Sequence, residues 1–233
     1  MRLVSWNVCD AFNRKFGHLE RLRPDIAVVQ EVRPGCIDFA RLTDRALWLG
    51  DSGQKGLAAI GYGDWTLVPG PVVSERWFIP VVASNGVERV HLVAVWLDSS
   101  ADCGAPTLRA LDALEPFLRA APSCLVGDFN QCVALDARKP KGRKFGDVLS
   151  RLDGLGMSSA WHTATGEAHG EESRATLYWR WSLDRPFHID FAFGSREMRV
   201  RKAEIGTHEQ YVAGEMSDHV PLVVDYEITR RSV

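Results

Sequence analysis

The chain has 233 residues, 45% hydrophobic and 25% charged, with eight Trp and ten Phe; this is ample apolar surface for a sizeable core and excludes an intrinsically disordered chain. A net charge of −2 argues against a protein that coats nucleic acid by global charge, while leaving room for a local basic patch. The five cysteines, Cys9, Cys36, Cys103, Cys124 and Cys132, contain no Cys-x-x-Cys pair, so a reduced compartment is expected rather than a disulfide framework.

The N-terminus opens directly on a strand pattern, Arg2-Leu3-Val4-Ser5-Trp6-Asn7, where a signal peptide would need a longer apolar run. No stretch approaches the ~18 apolar residues of a membrane span. The expectation is a soluble cytoplasmic protein forming one domain over residues 1–233, without a membrane span. The oligomeric state is left open, with a monomer the simplest expectation.

Short apolar runs rich in Val and Ile recur between turn signals: Leu3–Trp6, Ile26–Val29, Leu57–Ile60, Phe78–Ala83, Val90–Leu97, Ser123–Val126, Ile189–Phe193 and Val220–Tyr226. Their length and composition predict strands, several buried on both faces. Helical spacing predicts helices over Arg14–Leu22, Pro106–Arg119 and Lys144–Leu155. Strands outnumber helices, so a sheet-rich α/β architecture with outer helices is expected.

Polar residues gather at the ends of the apolar strands, where open α/β sheets place their ligands. The first two such places are Ser5-Trp6-Asn7 and Gln30-Glu31, joined by a helix. Strand–helix–strand geometry brings Asn7 and Glu31 to one rim, and their oxygens suit Mg²⁺ or Mn²⁺. Taken singly, each reads as a helix cap or a turn residue. The third place is Gly127-Asp128-Phe129-Asn130; in an extended segment Asp128 and Asn130 face the same side, so Asp128 can take a proton from water while Asn130 guides its approach. A tight turn is the plain alternative. The fourth is Ser217-Asp218-His219, paired with His188-Ile189-Asp190. A histidine beside a metal stabilises a phosphoryl transition state when a carboxylate holds its ring; Asp190 is the candidate, with Asp218 reaching toward metal or water.

The series Ser5-Trp6-Asn7, Gln30-Glu31, Gly127-Asp128-Phe129-Asn130, His188-Ile189-Asp190 and Ser217-Asp218-His219 resembles the endonuclease/exonuclease/phosphatase superfamily, which includes abasic-site endonucleases, pancreatic-type deoxyribonucleases, inositol polyphosphate phosphatases and neutral sphingomyelinases. The resemblance implies a four-layered αββα sandwich, two packed mixed β-sheets flanked by helices, with the site at one edge. It also implies roles: Glu31 as principal ligand of a Mg²⁺ or Mn²⁺ cofactor, Asn7 near metal and phosphate, and Asp128 activating water with Asn130 beside it. His219 would contact the scissile phosphate, held by Asp190, with Asp218 close to the metal.

Two positions depart from that pattern. Many nuclease members carry His or Tyr where this chain has Trp96, whose indole has no usable acid pKa. His162 and His188 are then the candidates to protonate a leaving oxygen, against the plain reading of hydrogen-bonded histidines packed in strands. Cys9 stands where some members place an Asp, which favours one metal over two.

Arg76, Trp77 and Trp96 would offer stacking surfaces for a base or sugar if they line the cleft; core packing is the commoner fate of such residues. The tract Asp136–Lys144 holds five basic residues, either a solvated loop or a clamp for a polyanion. The leading expectation is a metal-dependent phosphodiesterase or nuclease acting on DNA or RNA, with Asn7, Arg76, Trp77, Trp96 and His162 binding substrate. The alternatives are a phosphatase or hydrolase of small phosphodiesters, favoured by the modest charge, and a catalytically inactive binding module, motivated by Trp96 and Cys9.

Overall fold

The Val-rich runs, buried on both faces, build two sheets, and the helical segments cover them. The computed structural model describes residues 1–38, 42, 44–51, 53–97, 104–137, 142 and 144–229. The first half comprises β1 (Arg2–Asn7), α1 (Phe12–Arg21), β2 (Ile26–Val32), β3 (Ala46–Gly50), β4 (Gly56–Gly61), β5 (Thr66–Pro69), β6 (Phe78–Ser84) and β7 (Arg89–Trp96). Then follow α2 (Gly104–Ala120), β8 (Ser123–Asp128), α3 (Val133–Asp136), α4 (Phe145–Gly154), β9 (Met157–Ser159) and α5 (Ala160–Thr165). The chain closes with β10 (Leu177–Tyr178), β11 (Pro186–Phe187), β12 (Asp190–Ser195), β13 (Met198–Ile205), α6 (His208–Tyr211) and β14 (Leu222–Ile228).

One sheet has the order β13-β14-β1-β2-β4-β3, the other β5-β6-β7-β8-β12-β9, and β10-β11 form a separate ribbon. In each sheet the central pair is parallel, β1 with β2 through α1 and β7 with β8 through α2. A parallel pair needs such a crossover, and both its strands end on the same edge. The remaining ladders are antiparallel, so both sheets are mixed.

Successive residues of β7 serve different cores, as the two-residue period of a strand requires. Leu92 and Ala94 join Val4, Trp6, Val28, Val126 and Ala192 in one core, to which α1 adds Phe12 and Leu19. Val93 and Val95 join Leu125, Phe191 and Phe193 under Leu111 and Leu114 of α2 and Val148 and Leu152 of α4. Each buried Val, Leu or Phe among them contributes about 1.5–3 kcal/mol. The result is an αββα-type sandwich, two mixed sheets flanked by helices.

Several boundaries differ from the sequence expectation. The last strand starts at Leu222 rather than Val220, because Pro221 has no N–H to give to a ladder; Val220 donates its own to Thr176 O at 2.8 Å. Strand β13 carries Arg199, Arg201 and Lys202 at an edge of its sheet; a charged edge strand resists stray pairing and shows no apolar run. Of the basic tract, residues 138–141 and 143 lie outside the described residues. At its borders, the Asp136 carboxylate accepts the N–H groups of Phe145 and Gly146 at 2.8 and 3.0 Å, satisfying first-turn donors of α4. Cys9, Cys36, Cys124 and Cys132 are free thiols. Among the described residues, no helix is long and apolar enough to cross a membrane.

Candidate active site

Both parallel pairs deliver polar residues to one edge of the sandwich. Asn7 ends β1 and is buried. Its amide nitrogen donates to Glu31 Oε1 at 3.2 Å and to Asp128 Oδ2 at 3.0 Å, across the two sheets. Glu31 sits at a register shift between Gln30 and Val32, with a φ of 60°. The bulge re-aims its side chain, as an extra residue in one strand does. Gln30 holds the sheets together here, donating to Ser5 Oγ at 3.1 Å and Val95 O at 3.3 Å.

Asn7 Oδ1 accepts the Cys9 N–H at 3.1 Å, so the side chain turns its donor face to the carboxylates. The amide nitrogen thereby links Glu31 to Asp128.

Gly127 precedes Asp128 with a φ of 148°, and a Cβ there would lie 1.9 Å from Val95 O; only glycine fits so close to the neighbouring strand. Asp128 and Asn130 do come together, but by a turn rather than by strand alternation, since Asn130 has a φ of 48°. The Asn130 backbone N–H donates to Asp128 Oδ1 at 2.8 Å, and its amide nitrogen to Asp128 Oδ2 at 3.2 Å and Leu97 O at 2.6 Å. Phe129 between them is fully buried, edge-on to Phe145, Phe191 and Phe193.

Asp190 opens β12 opposite Asp128. His219 Nδ1 donates to Asp190 Oδ2 at 2.9 Å, while its Nε2 lies 3.9 Å from Asp128 Oδ2. The loop before β14 is fixed from three sides. Trp6 Nε1 donates to His219 O at 3.1 Å, Ser217 Oγ to Asn7 O at 2.7 Å, and Tyr178 N to Asp218 O at 2.8 Å.

Charge follows from this geometry. Burial disfavours a charged His219 ring, but the Asp190 and Asp128 carboxylates outweigh it and push the imidazole up to about 10. Asp128 is also pushed up, to about 7, first by burial and then by the Asp190 charge, with His219 and Asn7 pulling the other way. Burial raises the Cys9 thiol, and the Asp218 and Glu31 charges add to that shift.

Sequence reasoning missed Lys55. Its ammonium donates to Glu31 Oε2 at 2.5 Å, supplying a cation to the carboxylate; a lone Lys in a loop before Gly56 carries no signal of this. The neighbouring Asp10 turns away: Arg33 grips it through Nε at 3.0 Å and Nη2 at 2.9 Å.

Trp96, in register with Asp128, packs against Trp77 with ring centroids 4.6 Å apart. The Arg76 guanidinium lies 4.3 Å from the Trp77 centroid and pairs with Asp51. These three side chains are contiguous, and Trp96 is the one in register with Asp128. His162 and His188 do not join them. His162 stacks on Phe191 and His169, and His188 lies against Phe191 and Trp161. Phe191 follows Asp190 in β12, so its side chain faces the opposite side of the sheet.

Among the described residues, two trios hold their ligand atoms within 4.8 Å of one another: the buried Asp128, Asp190 and His219, and the half-buried His162, His169 and Glu172. The first is an acidic and imidazole cluster able to coordinate a divalent metal.

A profile described as the Endonuclease/Exonuclease/phosphatase family matches residues 4–219. No curated protein matches the sequence. A 3'-5' exonuclease from Neisseria meningitidis is similar over 97% of this chain and 100% of its own, with 18% identity and a TM-score of 0.71. An AP endonuclease from Archaeoglobus fulgidus is similar over 98% of this chain and 100% of its own, with 15% identity and a TM-score of 0.76. The truncated TDP2 of Caenorhabditis elegans is similar over 97% of this chain and 96% of its own, with 17% identity and a TM-score of 0.69. At these identities the likeness is one of fold.

Proposed function

Because the chain belongs to the endonuclease/exonuclease/phosphatase family, we propose that it is a divalent-metal-dependent phosphodiesterase that cleaves nucleic acid with an activated water. The observation that carries this reading is the continuous polar line Glu31–Asn7–Asp128 facing His219–Asp190.

The metal fits best on the Glu31 side. In the metal-free protein His219 is protonated and engaged by Asp190, its charge balancing the buried carboxylates, so the donors of the Asp128–Asp190–His219 cluster open to a cation are the carboxylate oxygens. Glu31 is more open, with 24% of its side chain exposed, and it already attracts the Lys55 ammonium. Glu31 and Asp218 would provide hard oxygen donors, the chemistry that suits Mg²⁺ or Mn²⁺. When bound, such a cation neutralises phosphoryl oxygens and favours ionisation of water.

The chain's own groups divide the remaining work. Asp128, poised near neutrality, takes the proton of the attacking water. Asn130 and Asn7 fix its carboxylate with three side-chain and backbone donors. His219 turns its Nε2 proton toward the phosphoryl oxygens and stabilises their growing charge. Asp190 orients that ring. Trp96, Trp77 and Arg76 receive a base or a sugar beside the scissile phosphate, which is why nucleic acid is preferred over a bare phosphate ester.

The test is turnover of labelled single- and double-stranded DNA, RNA, mononucleotides and lipid head-group esters, with EDTA and with Mg²⁺ restored. Cleavage of the polymers that requires Mg²⁺ is expected. Turnover confined to small esters would support the rival reading, and activity that survives thorough chelation would end the metal mechanism.

A further inference from the structure

We propose that His162, His169 and Glu172 form a second metal site, structural in role and suited to Zn²⁺. Helix α5 ends at Gly166, whose φ of 75° turns the chain back on itself. The return stacks the His169 ring on His162, centroids 3.6 Å apart, and brings Glu172 beneath them.

His162 is oriented from behind. Its Nδ1 lies 2.7 Å from Ser159 Oγ, and its Nε2 points at Glu172 Oε1, 3.2 Å away. A hydrogen bond to the far ring nitrogen is how proteins fix a metal-binding histidine. The same Glu172 oxygen accepts the Gly170 N–H at 2.9 Å and lies 3.9 Å from His169 Nδ1. That nitrogen is buried and has no hydrogen-bond partner among the described residues. Donors about 2.0–2.1 Å from a tetrahedral zinc are roughly 3.4 Å apart, and the two observed separations bracket that value.

A plain hydrogen bond from His162 to Glu172 accounts for one of these contacts and leaves the others unexplained. His169 Nδ1 would remain orphaned. So would His188 Nε2, on a side chain only 4% exposed. His188 lines a cavity of about 520 Å³ together with Gly170 and Glu172, and its ring centroid lies 5.7 Å from that of His162. Two imidazoles and one carboxylate suit zinc, whereas the donors around Glu31 are oxygens.

The site would clamp α5 to the segment that leads into Thr176. Thr176 Oγ1 accepts the N–H groups of Ile189 and Asp190, both at 3.0 Å, so the clamp buttresses the start of β12 without touching the reaction. The proposal is independent of the reading of the first site.

Purified protein would be incubated with Zn²⁺, dialysed against metal-free buffer and analysed for metal per chain, with circular dichroism to verify folding. About one equivalent is expected in the wild type and in Glu31→Gln, with loss in His169→Ala and Glu172→Gln. Zinc should raise the melting temperature of the wild type and leave those two variants unmoved. Should a variant fail to fold, Co²⁺ added to the wild type should give the intense visible bands of a tetrahedral site. No retained zinc in the folded wild type, equal retention in both variants, or a cobalt spectrum without tetrahedral bands overturns the proposal.

Discussion

His219 and Asp190 stand 29 residues apart in the chain, yet Nδ1 of one lies 2.9 Å from Oδ2 of the other with both side chains buried. The pairing sets the ring plane and leaves Nε2 facing Asp128. If His219 holds phosphoryl charge, His219→Ala should lower kcat by about 10²–10⁴-fold. Asp190→Asn should cost on the order of 10–100-fold, as loss of an orienting partner does. Steady-state kinetics at saturating Mg²⁺ would check both, and unchanged turnover in His219→Ala would remove the residue from the mechanism.

The same pair predicts a pH signature in the metal-free protein. A histidine whose pKa is raised on folding stabilises the fold fully below its unfolded value, near 6.5. That contribution is lost as pH climbs through the folded value, here about 10. NMR of the His219 ring should therefore show an imidazolium at pH 8, and thermal stability should decline between pH 7 and 10 more steeply than in His219→Ala. A ring titrating near 6.5 would contradict the assigned geometry.

Lys55 and a metal compete for Glu31. Because the ammonium lies 2.5 Å from Glu31 Oε2, Lys55→Met should release the carboxylate and tighten Mg²⁺ binding, by about 3–10-fold for roughly 1 kcal/mol of partly exposed ion pairing. Isothermal titration of Mg²⁺ into both proteins measures it. Weaker binding in the variant would mean that Lys55 helps to build the metal site.

Gly127 should tolerate no side chain. An added Cβ meets Val95 O at 1.9 Å, and the φ of 148° is foreign to other residues. Gly127→Ala should lower stability by about 1–3 kcal/mol and displace Asp128, so activity should fall even where the protein remains folded. Urea unfolding together with kinetics would separate the two effects.

How much of this was legible beforehand differs from element to element. The runs at Leu3–Trp6, Val90–Leu97 and Ser123–Val126 announced buried strands because apolar β-branched residues leave few other options. Strands β3, β5 and β13 did not announce themselves: they are short or charged, and pairing with a neighbour rather than their own pattern makes them strands.

Local chemistry written in the amino-acid order determined the elements and marked their polar ends, from Asn7 and Glu31 to Asp128, Asp190 and His219. Contacts between distant segments decided the rest. Only packing of one sheet on the other put the Asn7 amide between Glu31 and Asp128. Only the bulge at Glu31 brought Lys55 to its carboxylate, and the pleat of β12 turned Phe191, on which His162 stacks, away from Asp190. Hydrogen bonds and ion pairs act over a few ångströms, and which groups come that close is a property of the folded chain.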